Sequence, residues 1–213
     1  MYYKIESKSF WNSVCKQTDD IYLILNIMIK VLEQLAIQNF SKVSTFINAN
    51  CIIKNNRIFL ICSQKKAFTF NFPFDVVEGG VLFNREIVDI HIIKAMKRII
   101  EIILKSDSYE DFLLEYDSID ESEGFTVGEI QNASKILKKL FEIEIGYLRY
   151  DKDPEGSEKH GEEYHPENHL DIFFDNNISC KVGIRREYFN FERDIEKIFE
   201  KLFCKDESKF FLK

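Results

Sequence analysis

The chain has 213 residues, of which 45% are hydrophobic and 31% charged, with a formal net charge of −7. That length fits one domain or two small lobes, and only three Pro and eight Gly exclude a fibrous or loop-dominated chain. The negative balance argues against a general nucleic-acid binder, because a phosphate backbone asks for a basic surface.

The start, Met1-Tyr2-Tyr3-Lys4-Ile5-Glu6, lacks the basic stretch and apolar core of an export signal. The expectation is a soluble, cytoplasmic protein. A helix is expected around Phe10-Trp11. Residues 21–37 form the longest apolar stretch and read as a helix in which Asn26, Lys30, Glu33 and Gln34 fall on one stripe. Lys30 and Glu33 near its middle argue against a membrane span.

Residues 51–74 read as strands. Asn55-Asn56 lies between two β-rich runs and tolerates the positive φ of a tight hairpin. Phe68, Phe70 and Phe72 alternate at period two, and Pro73 ends the run. Glu78-Gly79-Gly80 marks a turn. Residues 89–105 predict an amphipathic helix, with Ile92, Ile93, Met96, Ile99, Ile100 and Ile103 on its apolar face.

Residues 106–126 hold eight Asp or Glu and no Lys or Arg. They read as a surface insertion or connector between an N-terminal helix and hairpin lobe (1–105) and a C-terminal α+β lobe (127–213). Phe112, Leu113 and Leu114 allow a short helix inside this stretch. Thr126-Val127-Gly128-Glu129 is a capping box. The helix it opens is expected to turn Ile130, Ala133, Leu137, Leu140 and Phe141 inward.

Three strands follow, over 142–150, 169–174 and 178–184, the last two joined by Asp175-Asn176-Asn177. A helix over 191–203 closes the chain, ahead of an apolar tail, Phe210-Phe211-Leu212. The fold class is α+β: helices packed on mainly antiparallel short strands, with a C-terminal strand, loop, hairpin and helix unit. The five cysteines, at 15, 51, 62, 180 and 204, form no CxxC pair and read as free thiols in a reducing compartment.

The chemistry concentrates near the C-terminal strands. Three of the four His (160, 165 and 169) lie there with Arg149, Asp151, Asp153 and Asp171. If the strands pair, Arg149 and Asp151 come near His169 and Asp171. One helical turn at Pro166 would set His165 and His169 side by side. A fully extended segment would hold them roughly 13 Å apart.

Two functional readings follow. In one, His165, His169 and Asp151 hold a divalent metal through imidazole and carboxylate ligands. In the other, Arg149, Asp151, His165 and His169 form a catalytic group on a phosphodiester, the imidazoles acting as acid and base. Arg185 and Arg186 would then help bind the phosphate. Lys94, Lys97 and Arg98 form a further basic face that could meet phosphate. The structural alternative is favoured: Arg149 pairs with Asp151 or Asp171, His165 holds the turn, and the lysines are solvated. Walker A, GxGxxG and GxSxG motifs are absent.

Arg149-Tyr150-Asp151-Lys152-Asp153-Pro154 and His165-Pro166-Glu167-Asn168-His169-Leu170 resemble an uncharacterised prokaryotic family, domain of unknown function 2290. The resemblance covers about residues 143–203. Arg185-Arg186-Glu187 stands where the family has a Pro-containing stretch. The resemblance carries no activity. It implies a small accessory or regulatory interaction subunit of a bacterial defence, stress or mobile-element module, with a protein partner. The alternative is a toxin-like ribonuclease with RNA or DNA phosphate contacts, with or without a divalent metal. No other cofactor is expected, and neither is a membrane association.

Overall fold

Alternating and apolar runs become strands in the computed structural model, which describes residues 1–14, 21–45, 48–54, 56–63, 66–78, 80–119, 124–143, 147–173, 179–184, 190–191, 194–195 and 197. The chain groups into two units. One comprises Met1–Lys4, Lys42–Phe70 and Gly146–Lys213, the other Ile5–Ser41 and Asn71–Ile145. The fold is α+β with mainly antiparallel strands.

The first unit is built on an eight-stranded sheet. Its strands are β1 (Tyr2–Ile5), β2 (Phe40–Lys42), β3 (Cys51–Lys54), β4 (Arg57–Ser63), β5 (Lys66–Asn71), β9 (Tyr147–Lys152), β10 (Asn168–Phe173) and β11 (Ser179–Gly183). Their spatial order is β11-β10-β9-β5-β4-β3-β1-β2, and edge strand β2 runs across the unit boundary. The β1–β3, β3–β4, β5–β9, β9–β10 and β10–β11 ladders are antiparallel. Lys54 and Arg57 are register partners, and Asn56 before Arg57 takes the positive φ expected of a tight hairpin, 56°.

Period two divides this sheet into two faces. One carries Ile52, Phe59, Ala67, Tyr150 and Leu170, packed with Ile195 and Phe191. The Tyr150 and Phe191 rings lie 5.1 Å apart. The opposite face carries Arg149, Asp151, His169 and Asp171. The helix expected over 191–203 falls largely outside the described residues, as do the Phe210–Leu212 tail, Cys15, Cys204 and the side chain of Cys180. Neither Cys51 nor Cys62 forms a disulfide with a described residue, and burial pushes the Cys51 thiol up to about 12.

The second unit holds α1 (Lys8–Val14), α2 (Ile21–Ala36), α3 (Ile90–Lys105), α4 (Tyr109–Asp117) and α5 (Val127–Glu142). A small antiparallel sheet accompanies them: β6 (Asp75–Val77), β7 (Gly80–Phe83) and β8 (Glu86–Ile87). Asp89 caps α3 by accepting from His91 N and Ile92 N, both at 2.9 Å. The α3 residues Ile92, Ile93, Ala95, Met96, Ile99, Ile100 and Ile102 are buried, each large one contributing about 1.5–3 kcal/mol. Helix α3 packs against α2, α4 and α5. Among the described residues no helix is long and apolar enough to cross a membrane.

The capping box forms as expected: Thr126 Oγ1 accepts from Glu129 N, and Glu129 returns a carboxylate to Thr126 N. One expectation fails within α5. Phe141 is 39% exposed, and Ile136 is buried instead. The inward stripe runs through 130, 133, 137 and 140, and position 141 falls on its edge.

The two units interleave along the chain, whereas a division at the acidic stretch separates 1–105 from 127–213. The pairing of β5 with β9, Phe68 opposite Arg149, draws the early hairpin to the C-terminal strands. Within the acidic stretch, α4 forms as a helix with none of its residues buried.

Candidate functional site

Strand register assembles the polar cluster. In the β9–β10 ladder Arg149 faces Asp171 and Asp151 faces His169. In the β10–β11 ladder Asp171 faces Lys181 and His169 faces Gly183. Arg149 Nε donates to Asp151 Oδ2, and Arg149 Nη2 donates to Asp171 Oδ2 at 2.8 Å. Lys181 Nζ reaches the other oxygen of Asp171 at 3.1 Å. Two cations thus balance two carboxylates. The side chains of Arg149 and Asp171 are only 12% and 8% exposed, so the pairing offsets a large desolvation cost.

A short helix and a bend bring the imidazoles over this face. Asp153 follows β9 and caps α6 (Pro154–His160), accepting from Gly156 N at 2.9 Å, with Pro154 in the first turn. The chain turns at Gly161, whose φ of 83° suits glycine. Gly161 O accepts from His165 N at 2.8 Å, and Asp153 N donates to Glu167 O at 2.8 Å. His165 Nε2 lies 3.0 Å from Asp153 Oδ2. Two glycines permit this corner. A Cβ on Gly156 would stand 2.6 Å from His165 Nε2, and one on Gly183 would stand 2.8 Å from Pro166 Cγ.

The His165 and His169 rings meet edge to face, 4.9 Å apart. Neither of the two geometries weighed for this segment, a helical turn at Pro166 or a fully extended run, forms, and His169 already belongs to β10. A bend brings the rings together instead. His169 Nδ1 lies 2.7 Å from Pro166 O. A carbonyl can only accept, so Nδ1 carries a proton. His169 Nε2 is 3.7 Å from Asp171 Oδ2, beyond hydrogen-bond range.

Two groups on the strands and corner around this cluster are shifted. The Gly156 amide, and then His165, hold the Asp153 carboxyl below its ordinary value. Burial first, then Glu167 and Asp151, push the Tyr150 phenol up to about 12. Tyr150 projects to the opposite face and donates to Asn168 Oδ1 at 2.8 Å.

The structure therefore brings together Arg149, Asp151, His165 and His169 with Asp171, as strand pairing implied, and adds Lys181. Lys181 was missed in the sequence, although counting back from the hairpin places it opposite Asp171. Donor atoms of Asp151, His169 and Asp171 lie within 4.8 Å of one another. This set differs from the expected metal ligands by one member, because His165 is turned to Asp153. A cation there would compete with Arg149, which bonds one oxygen of each carboxylate. Arg185 and Arg186 lie outside the described residues. Lys94, Lys97 and Arg98 belong to α3 of the other unit, where Lys97 pairs with Glu33 of α2 at 3.5 Å.

A second surface lies within the helical unit. Ile99, Phe112, Tyr116, Ser134, Leu137, Lys138, Phe141 and Glu142 line an open groove of about 500 Å³. Tyr116 and Ser134 hydroxyls meet at 2.6 Å. Ser134 Oγ gives its proton to Ile130 O, so Tyr116 is the donor that ties α4 to α5.

No family model, curated protein or solved structure matches this chain. Its chemistry is read from these two surfaces. The cluster on β9–β11 is suited to fixing strand register, and the groove is suited to receiving apolar side chains.

Proposed function

We propose that this chain is a cytoplasmic protein-binding subunit, an accessory or regulatory component of a prokaryotic defence, stress or mobile-element module, and not an enzyme. The observation that carries this reading is the Arg149 guanidinium shared between Asp151 and Asp171. A general base needs a carboxylate or imidazole within reach of substrate. Here the carboxylates are taken by Arg149 and Lys181, and one imidazole nitrogen by Pro166 O. The resemblance to the domain of unknown function 2290 over about residues 143–203 supports the choice of module.

A second reading keeps the cluster as a phosphodiesterase or ribonuclease centre with a divalent ion. It is supported by the Asp151, His169 and Asp171 donor set. One experiment separates the two. Purified full-length protein is incubated with single-stranded RNA, with and without manganese or magnesium, beside His169→Ala. The binding reading expects the same RNA integrity in both proteins under all conditions. Cleavage by the native protein that His169→Ala loses, with melting unchanged, would establish the enzyme instead.

A further inference from the structure

We infer that a pocket between the β7–β8 hairpin, α3 and α5 binds a small organic carboxylate, an acid with a compact apolar body. The inference goes beyond the binding-subunit reading, and none of the pocket's residues belongs to the β9–β11 cluster. Local geometry builds the pocket. Asn84 and Arg85 take φ of 50° and 70°, the pair of positive values of a tight hairpin turn, and Phe83 pairs with Glu86 across it. Helix α5 brings Asn132, Lys135, Ile136 and Lys139 to the pocket at i, i+3, i+4 and i+7, one face of the helix. Buried Phe83, Val88, Ile92 and Ile136 supply the apolar part of the lining. Asn84, Asn132, Lys135 and Lys139 supply hydrogen-bond donors. An apolar lining with a few convergent polar groups is the usual character of a small-molecule site.

Charge selects an anion. Glu86 is the only carboxylate among the lining residues, and its Oε1 lies 3.7 Å from Lys135 Nζ. That pair leaves Lys139. Its side chain is partly buried, and its ammonium stands 5.9 Å from the centroid of the Phe83 ring. Among the described residues no carboxylate pairs with it. A ring face attracts an ammonium and leaves its charge in place, and apolar walls focus that charge. One uncompensated positive charge matches one negative charge, which favours a carboxylate over a phosphate dianion. Size sets the body. The pocket holds about 270 Å³, and a cavity of roughly 150 Å³ holds benzene. A body of one or two rings therefore fits.

The test is an NMR chemical-shift titration of the full-length protein with benzoate, cinnamate and naphthoate. Naphthamide, which lacks the charge, and naphthyl phosphate, which carries more of it, are run beside them. At least one carboxylate is expected to bind, moving the amides of residues 83–88 and 132–139. Naphthamide should bind about tenfold more weakly, the scale of a lost charge-assisted hydrogen bond. Lys139→Met keeps the apolar stem over Phe83 and should weaken the carboxylate by about the same factor. Asn132→Trp, at an exposed position of the same helix face, should block the pocket and gives a second reading should Lys139→Met alter the melting temperature. Lys138→Met, which changes the charge of α5 outside the pocket, should bind like the native protein. Absence of binding by all three carboxylates, or binding untouched by both pocket variants, overturns the inference. So does an equal loss in Lys138→Met, which would reduce the effect to general charge. Equal binding of naphthamide and naphthoate, or preference for naphthyl phosphate, overturns the assignment of a carboxylate.

Discussion

Arg149 and Asp171 are register partners on neighbouring strands and join through a 2.8 Å charge-assisted hydrogen bond on a nearly closed face. The same guanidinium holds Asp151. Replacing Arg149 by Met removes the guanidinium that bonds both carboxylates. The expected loss is about 3–5 kcal/mol, the cost of breaking a buried pair from one side. Urea denaturation measures it, and a loss below about 1 kcal/mol would mean the pair behaves as an exposed one. Asp171→Asn in the Arg149→Met background should recover part of the loss, since the two residues couple.

Tyr150 makes stability depend on alkaline pH. Its phenol sits at about 12 when folded, above the roughly 10 of an unfolded tyrosine. The folded state therefore keeps the proton more tightly. This contribution is complete below about pH 10 and disappears as pH rises through about 12. Tyr150→Phe removes the bond to buried Asn168, costs about 1–3 kcal/mol at neutral pH, and flattens the alkaline decline. Denaturant midpoints at about pH 8 and about pH 11 check it, and a decline unchanged in Tyr150→Phe would assign the effect to another group.

Asp153 acts at the other end of the scale. Its carboxyl is held low chiefly by the Gly156 amide. A depressed carboxyl contributes stability above its ordinary value of about 3.9 and loses it as pH falls through the folded value. Asp153→Asn should shift the acid unfolding midpoint upward only slightly, because this carboxylate is 45% exposed. It should also release the His165 ring from its 3.0 Å contact with Asp153, visible as changed His165 ring chemical shifts by NMR. An unmoved imidazole signal would show that the Asp153–His165 contact does not persist in solution.

Gly183→Ala should reopen the corner. The new Cβ would lie 2.8 Å from Pro166 Cγ, and a crowded contact of this kind costs about 1–3 kcal/mol. The His165–His169 ring contact should loosen with it, since Pro166 links the two. Thermal melting and imidazole chemical shifts report both effects, and a native-like variant would show that Pro166 does not rest on β11.

Asp89→Ala tests a local feature far along the chain from the cluster. It removes the acceptor for two α3 amides, and about 1 kcal/mol should be lost. Hydrogen exchange should rise first at His91 and Ile92. A uniform rise along α3 would mean the helix start is held by packing instead.

Local rules in the sequence determined much of this protein. The α3 and α5 caps at Asp89 and Thr126, the stripe of Ile92, Ile93, Met96, Ile99 and Ile100, and the positive φ of Asn56 follow from hydrogen bonding and periodicity within a few residues. The meeting of Arg149 and Asp151 with His169 and Asp171 was legible too, because period two and one antiparallel pairing suffice to place them. Tertiary structure alone decided the remainder. The pairing of β5 with β9 joins segments far apart in the chain, and no local signal encodes such a partner. Phe141 left the expected core because it sits at one edge of the α5 stripe, and the buried set extends to Ile136 at the other edge. The bend at His165-Pro166 depends on the missing side chains of Gly156 and Gly183, one of them on another strand. Capping and alternation are governed by neighbours in sequence, whereas strand partners, closed corners and open grooves are set by which surfaces exclude each other in space.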